Sequence, residues 1–462
     1  MAASSSTPSW VILATIPRVC AADLPLGADF SLGLSAPPDV NVLTVPPRVS
    51  PDPLNCRNFP SVLAADRSGL LLLHATQGER TGTLKFGDLA LHATQGEDRS
   101  VASRFRRTEL LPLDGRRLSA GPQMVAEGED RSLAPRFRRT ELLALSDRAL
   151  DWRRKRTGGP QMFGDGGFAW RTFVDGYFVC DTLSGTAVRL PEPDGNRIVN
   201  AGNLGLITAQ DGSGFMVAEL QPVVGTDYAA LLCFRSNTGR WEQKGIRHPL
   251  ESRPWGSHGV VSCLGCLWWI DVSWGLLRCD PFDKEPELDF VPLPPLKKLP
   301  FRSTLDEDLE MYRCVKFSEG AMRFLEIGVP KKDRVKVSRV SHLVNRHGHR
   351  LVPWVTMWTL VNTEAGLWRR KHEISFDEIW SHETFKVAAL PKNTVPKIAL
   401  VDPINSDIVY FFIKSYLVGI DLRTRSVLKY SSYNIENPPS EEMSSRFIRA
   451  WEIPRTPQVT HY

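Results

Sequence analysis

The chain has 462 residues, 42% of them hydrophobic and 24% charged, with a formal net charge of +5. Fractions this ordinary describe a soluble globular protein with ample chain for a large core. No apolar run approaches the roughly 18 residues that cross a bilayer, which argues against a membrane-embedded protein.

Residues 1–9 read as a short disordered N-terminus. Met1-Ala-Ala-Ser-Ser-Ser-Thr7 has the flavour of a plastid transit peptide, but Trp10-Val-Ile-Leu already reads as strand and Asp23 is acidic. A secretory signal is disfavoured because no Lys or Arg precedes the apolar Trp10 to Ala14 and Arg18 follows closely.

From there the strands come in hairpins. Val62 to Ala65, the turn Asp66-Arg67-Ser68-Gly69 and Leu70 to His74 form the first, resumed at Tyr177 to Asp181 and Thr186 to Leu190. A second unit has Leu204 to Ala209, a Gly-rich turn, Phe215 to Leu220, Ala229 to Phe234 and Trp241 onward. The third is the most complete: Val260 to Leu264, Cys266 to Asp271, Gly275 to Cys279 and Leu288 to Leu293. Its turns are Gly265 and Asp280-Pro281-Phe282-Asp283, where Asp bonds the backbone ahead and Pro fixes its own φ. A fourth unit starts at Tyr312 to Ser318 and Ala321 to Ile327 and resumes at Val355 to Leu360. The fifth holds Ile398 to Asp402, Asp407 to Ile413, Leu417 to Asp421 and Val427 to Tyr430.

The turn glycines Gly212, Gly265 and Gly320 fall 53 and 55 residues apart. Four strands per unit at that period are the signature of a β-propeller of kelch-like blade size. The expected fold is therefore all-β, a β-propeller of five visible four-stranded blades. A sixth follows if Trp10 to Ile16, Phe30 to Leu34 and Val40 to Val45 are completed by Phe447 to Trp451, because closure leaves no unpaired strand edge. The propeller domain would span residues 10–79 and 166–462.

The insert of residues 80–165 differs in kind. Gly96 to Leu113 recurs as Gly128 to Leu145 with three differences in eighteen positions. Near-identity of that degree points to a recent tandem duplication or a mispredicted exon. From Gly96 to Thr157 there are fifteen Arg and Lys against ten Asp and Glu, an excess equal to that of the whole chain. Apolar residues are few there, so a largely disordered basic excursion is expected between the second and third strands of the first blade, with a short helix near Leu142 to Trp152.

With these residues laid out, the chain resembles an uncharacterised plant family, expanded in grasses, known as domain of unknown function 1618. The likeness rests on Pro60-Ser-Val-Leu-Ala-Ala-Asp66 with Leu70 to His74, Tyr177 to Asp181 with Ser184-Gly-Thr186, and Met357 to Leu360 with Trp368. Its most specific block is Leu267-Trp-Trp-Ile-Asp271, with Gly259-Val-Val261 before it and Gly275 to Asp280 after. The insert departs from the family pattern. The resemblance implies no catalytic residue or ligand. F-box proteins bear similar propellers, but no F-box pattern stands at this N-terminus.

Candidate chemistry gives way to plainer readings. Cys263-Leu-Gly-Cys266, with His258 and Cys279 nearby, could supply zinc ligands, yet the pair straddles a hairpin whose flanks are core strand. His342, His347 and His349 cluster between Arg346 and Arg350, whose charge disfavours a bound cation. Arg153-Arg-Lys-Arg156 looks like a nuclear-import or nucleic-acid patch, weakened by Asp147 and Asp151. Trp268 and Trp269 must point to opposite faces of a regular strand, so at least one packs between blades. The eight cysteines (20, 56, 180, 233, 263, 266, 279 and 314) follow no framework spacing and read as reduced core residues of a cytoplasmic or nuclear protein.

No catalytic, cofactor-binding or metal-ligating residue is assigned, and no cofactor is implied. The expected function is a non-enzymatic propeller that binds a protein partner on loops at one end of its ring. A propeller hydrolase or carbohydrate-acting oxidase is the alternative, and it should gather carboxylates, His or Cys at one mouth of the central channel. Nucleic-acid contact through the basic insert is the weaker third reading, and it would show as binding that falls steeply with salt.

Overall fold

The structure, a computed structural model, describes residues 8–20, 22–25, 27–50, 59–85, 161–162, 167–195, 197–223, 226–249, 253, 255–300, 309–328, 352–392, 394–433 and 443–454. The duplicated segments, Arg153 to Arg156, Cys56, the histidines 342, 347 and 349, and residues 1–7 lie outside them. The chain divides into two units, Met1–Gln77 with Asp175–Tyr462, and Gly78–Val174. In the second unit the short strand Gln161–Met162 pairs antiparallel with Ala169 and Phe168.

Within the first unit the strands follow the alternation of apolar residues. The N-terminal segment supplies β1 (Trp10–Ala14), β2 (Arg18–Val19), β3 (Ser31–Leu32), β4 (Val40–Asn41) and β5 (Leu43–Val45). Next come β6 (Ser61–Ala65) and β7 (Leu70–Lys85). Near the end of the insert, β8 (Gln161–Met162) pairs with β9 (Gly167–Asp181), and β10 (Thr186–Arg189) completes the sheet in the order β10-β9-β7-β6. Four meanders of four antiparallel strands follow. They are β11 (Leu204–Thr208) to β14 (Arg240–Arg247), β15 (Val260–Cys263) to β18 (Asp289–Pro292), β19 (Arg313–Ser318) to β22 (Leu367–Ser375), and β23 (Lys397–Val401) to β26 (Ser426–Ser432). The last strand, β27 (Ile448–Glu452), pairs antiparallel with β1 from Trp10↔Glu452 to Ala14↔Ile448.

Counted by sheets this is an all-β propeller of seven blades among the described residues, so the expected count of five or six is corrected. The difference lies in the N-terminal segment. The strand expected over Trp10 to Ile16 stops at Ala14, and chain that includes Pro17, which has no N–H to give, separates it from β2. The second break, at the exposed Val42, separates β4 from β5. Two three-stranded sheets result, β27-β1-β4 and β2-β5-β3.

Six apolar clusters join the sheets into a closed cycle. Ala64 and Leu72 of β6 and β7 meet Leu204 and Val217 of β11 and β12. Met216 and Cys233 meet Leu267, Trp269 and Leu277. Trp268 and Leu276 meet Phe324 and Trp368 on the next sheet. Leu325 and Met357 meet Ile398 and Phe411, and Leu400 and Tyr410 meet Ile12 and Ile448. Val11, Leu13 and Trp451 return to Leu43, Val62 and Leu71. Trp268 and Trp269 thus serve opposite faces of β16 (Cys266–Asp271), as strand alternation requires. Each buries an aromatic surface of the size that dominates core energetics.

Helices α1 (Leu309–Tyr312), α2 (Phe376–Ser381) and α3 (Glu383–Val387) add to this frame. Ser375 and Glu378 form a capping box on α2, and Phe376, Trp380 and Phe385 fill the cluster beside β23.

Candidate functional site

The first strand of each meander, β6, β11, β15, β19 and β23, touches its neighbour's first strand, and β23 touches β27. Bonds from Arg449 Nε to the Val62 carbonyl (3.3 Å) and from Trp451 Nε1 to the Asp66 carbonyl (2.8 Å) complete the circuit. These inner strands surround the ring axis. Because they run in one sense, the turns that follow them gather at one mouth.

That mouth holds a cavity of about 330 Å³ lined by Asp66, Arg67, Ser68, Thr208, Gln210 and Leu264 among others. Three successive sheets contribute to it. Asp66 Oδ1 accepts from Ser68 N (2.8 Å) and from Thr208 Oγ1 (2.8 Å), which ties the first turn to the second sheet. Arg67 donates to Glu452 Oε1 at 2.6 Å and lies 5.3 Å from the Phe317 ring centroid. Phe317 stands three sheets away around the ring, so Arg67 spans the mouth. Leu264 and Gly265 form the tip of the β15–β16 hairpin with φ of 54° and 75°. Two positive φ values match the right-handed twist of the strands, and such turns favour Asn or Gly. Leu264 is nonetheless 65% exposed there.

The mouth also gathers carboxylates. Asp402 Oδ1 accepts from Ile404 N and Asn405 N, and burial pushes its pKa up against those bonds. Glu319 accepts from Ser406 Oγ (2.6 Å), which holds its carboxyl below the usual range, aided by Lys371 and Arg323. Asp407 accepts from Lys371 and His372, both at 2.7 Å; burial pushes it up, but these bonds and the Lys371 charge leave it lowered. Every one of these acids is occupied by a turn N–H, a hydroxyl or a cation of the chain itself.

Cys263 and Cys266 face each other across the hairpin and are free thiols. Burial raises both pKa values, so neither is poised as a thiolate. Cys279 packs in the cluster on the other face of the sheet. His258 Nδ1 stands 3.8 Å from Asp271 Oδ1 at the opposite end of the strand. Among the described residues no group of three or more His, Cys, Asp and Glu is set to hold a metal. The sequence reading marked Asp66 to Gly69 only as a turn. Nothing local signals that Arg67 pairs with Glu452, 385 residues away.

Fold and site together define a β-propeller whose hairpin turns build an open mouth of mixed lining, with exposed apolar side chains at Leu264 and Ile404. A profile described as "Protein of unknown function (DUF1618)" matches residues 269–410, less than half of the chain, in agreement with the resemblance carried by its sequence blocks. No curated protein matches the chain. Among solved structures, Kuenenia stuttgartiensis hydrazine synthase aligns at 14% identity and TM-score 0.24 over 54% of this chain and 58% of that one. The Myceliophteria thermophila Cps50 (Swd1) β-propeller domain aligns at 8% identity and TM-score 0.27 over 60% and 90%. Saccharomyces cerevisiae Sqt1 aligns at 8% identity and TM-score 0.21 over 61% and 93%. This chain therefore spans just over half of the hydrazine synthase chain it matches. At such scores these similarities carry no argument, and the fold rests on its strand order.

Proposed function

We propose that the protein is a non-enzymatic propeller that docks a protein partner on the mouth formed by Asp66 to Ser68, Gln210 and Leu264. The exposure of Leu264 at a left-handed tip beside the cavity carries the reading, since that conformation costs a leucine about 1 kcal/mol relative to glycine. The carboxylates at the mouth support it from the other side, because each is held in a turn or ion pair rather than left to move a proton. The cysteines among the described residues are free thiols, five of them buried, which fits a cytoplasmic or nuclear setting.

The test is affinity capture with wild type, Leu264→Asp and Arg67→Glu, with Tyr228→Asp as control. Tyr228 is exposed at the start of β13 (Tyr228–Arg235), at the other end of the ring. A partner retained by the wild type and the control but lost by both mouth variants is expected. Equal retention by all four proteins would refute the assignment.

A further inference from the structure

Two cations of the inner strands are used neither by the mouth nor by the ion pairs of the opposite end. Lys316 lies in the middle of β19 and Arg449 near the start of β27. Lys316 Nζ reaches the Ser445 carbonyl at 3.5 Å, four residues before Arg449, so both cations border one short stretch of chain. Arg449 Nε makes its bond to the Val62 carbonyl on the far side. Each residue is only partly buried although its strand neighbours Val315 and Ile448 are buried.

Charge and hydrogen bonding are both incomplete there. An ammonium has three N–H donors and a guanidinium five. Among the described residues Lys316 and Arg449 each make one hydrogen bond, and each goes to a neutral carbonyl. The acid near them is Glu310 on α1, which also faces Arg446 at 3.9 Å. Burial lowers the Lys316 pKa and the neighbouring Arg449 lowers it further. Burial pushes Arg449 down to about 10, with Glu310 partly offsetting it. Two partly buried like charges near one shared carboxylate repel each other, and an anion between them relieves that cost.

We infer that the inner strands bind a small divalent oxyanion of the phosphate or sulfate class between Lys316 and Arg449. A tetrahedral oxyanion offers acceptors in several directions, which suits a point-charge ammonium on one strand and a planar guanidinium on another. The site is separate from the protein-docking mouth, and neither reading depends on the other.

Equilibrium dialysis of the full chain with radiolabelled inorganic phosphate, at constant ionic strength in chloride, tests the inference. One phosphate bound per chain at millimolar or lower concentration is expected, with sulfate competing. Lys316→Gln and Arg449→Gln should each weaken binding about tenfold or more, the effect of losing a charged hydrogen bond, while the exposed Lys429→Gln leaves it unchanged. In the wild type, amine acetylation read by mass spectrometry should fall at Lys316 in the presence of phosphate and stay constant at Lys429. This second measurement stands if the variants fail to fold. Absence of stoichiometric phosphate binding, or binding that leaves Lys316 acetylation unchanged, overturns the site.

Discussion

At the turn end of the ring, Asp66, Asp211 and Asp402 turn their carboxylates to N–H groups two or three residues ahead. At the opposite end, where the inner strands begin, the acids are more deeply buried and also hold separate entry segments. Glu219 accepts from Val199 N, Asn200 N and Gln221 Nε2. Asp271 accepts from Gly256 N and from both Ser273 donors. Glu326 takes Arg313 and Lys297. Glu219 and Glu326 stand opposite the first residues of their inner strands, Leu204 and Arg313, as His74 does opposite Ser61. One end is thus joined by partly exposed hydrogen bonds and ion pairs between its turns, the other by entry loops fastened to more deeply buried charge. Stability should therefore depend on the second end, leaving the first to vary its side chains.

The strongest way to break this contrast is Glu326→Ala. It strips the partner from Arg313, a buried guanidinium otherwise bonded to the Val272 and Lys297 carbonyls. Uncompensated buried charge of this kind costs about 3 kcal/mol or more. At the turn end, Glu319→Ala removes a half-exposed acid and should cost under about 1 kcal/mol. Guanidinium unfolding of the two variants measures both. Equal losses would erase the distinction between the ends.

Glu219 sharpens the contrast through pH. Burial pushes its pKa up to about 7 from 4.5 against the pull of its three donors. Between those values the folded carboxyl holds its proton while the unfolded one has lost it. Stability therefore falls as pH rises from about 4.5 to 7 and is level above, a change of about 3 kcal/mol. Glu219→Gln should flatten this part of the profile. Denaturant midpoints at pH 5 and pH 8 for both proteins decide it, and a wild-type profile no steeper than that of the variant contradicts the assignment.

A smaller effect belongs to the hairpin tip. Gly265 has φ of +75°, and a Cβ there would come within 2.6 Å of Gln210 Nε2. Gly212 has φ of +72° with nothing within 4 Å. Both changes to Ala meet the left-handed penalty of about 1 kcal/mol, so Gly265→Ala should exceed Gly212→Ala by the cost of displacing Gln210. Thermal unfolding of the pair gives that difference directly, and equal losses would mean that Gln210 yields freely.

Legibility in the sequence divides along the same line. The hairpins announced themselves because an apolar run, an Asp- or Gly-led turn and a second apolar run are local signals, and the observed β15 to β18 follow the predicted strands closely. The pairing of the chain ends was readable from the need to close an edge. The N-terminal sheets were not, because Pro17 marks one break but which short strands then pair with one another is decided by the closing segment rather than by local pattern. The helix after Ser375 had a readable signal in Ser375-Phe-Asp-Glu378, which lay hidden behind the strand rhythm around it. The Arg67–Glu452 pair and the placing of Lys316 near Arg449 had none. Each joins residues more than a hundred positions apart, and only the ring brings them together.

The smallest expected effect on stability concerns the residue most bound up with function. Leu264 holds φ of 54° at an exposed tip, a conformation that Asn adopts more readily than Leu because its short polar side chain bonds locally. Leu264→Asn should raise stability by a few tenths of a kcal/mol while it removes the apolar tip. If the tip serves binding, partner capture falls although the fold is firmer. Thermal unfolding and capture measured on the same preparation separate the two effects, since a purely structural leucine would lose stability and binding together. A firmer variant with undiminished capture would move the docking surface away from this hairpin and leave the strained leucine to be explained by the cavity it borders.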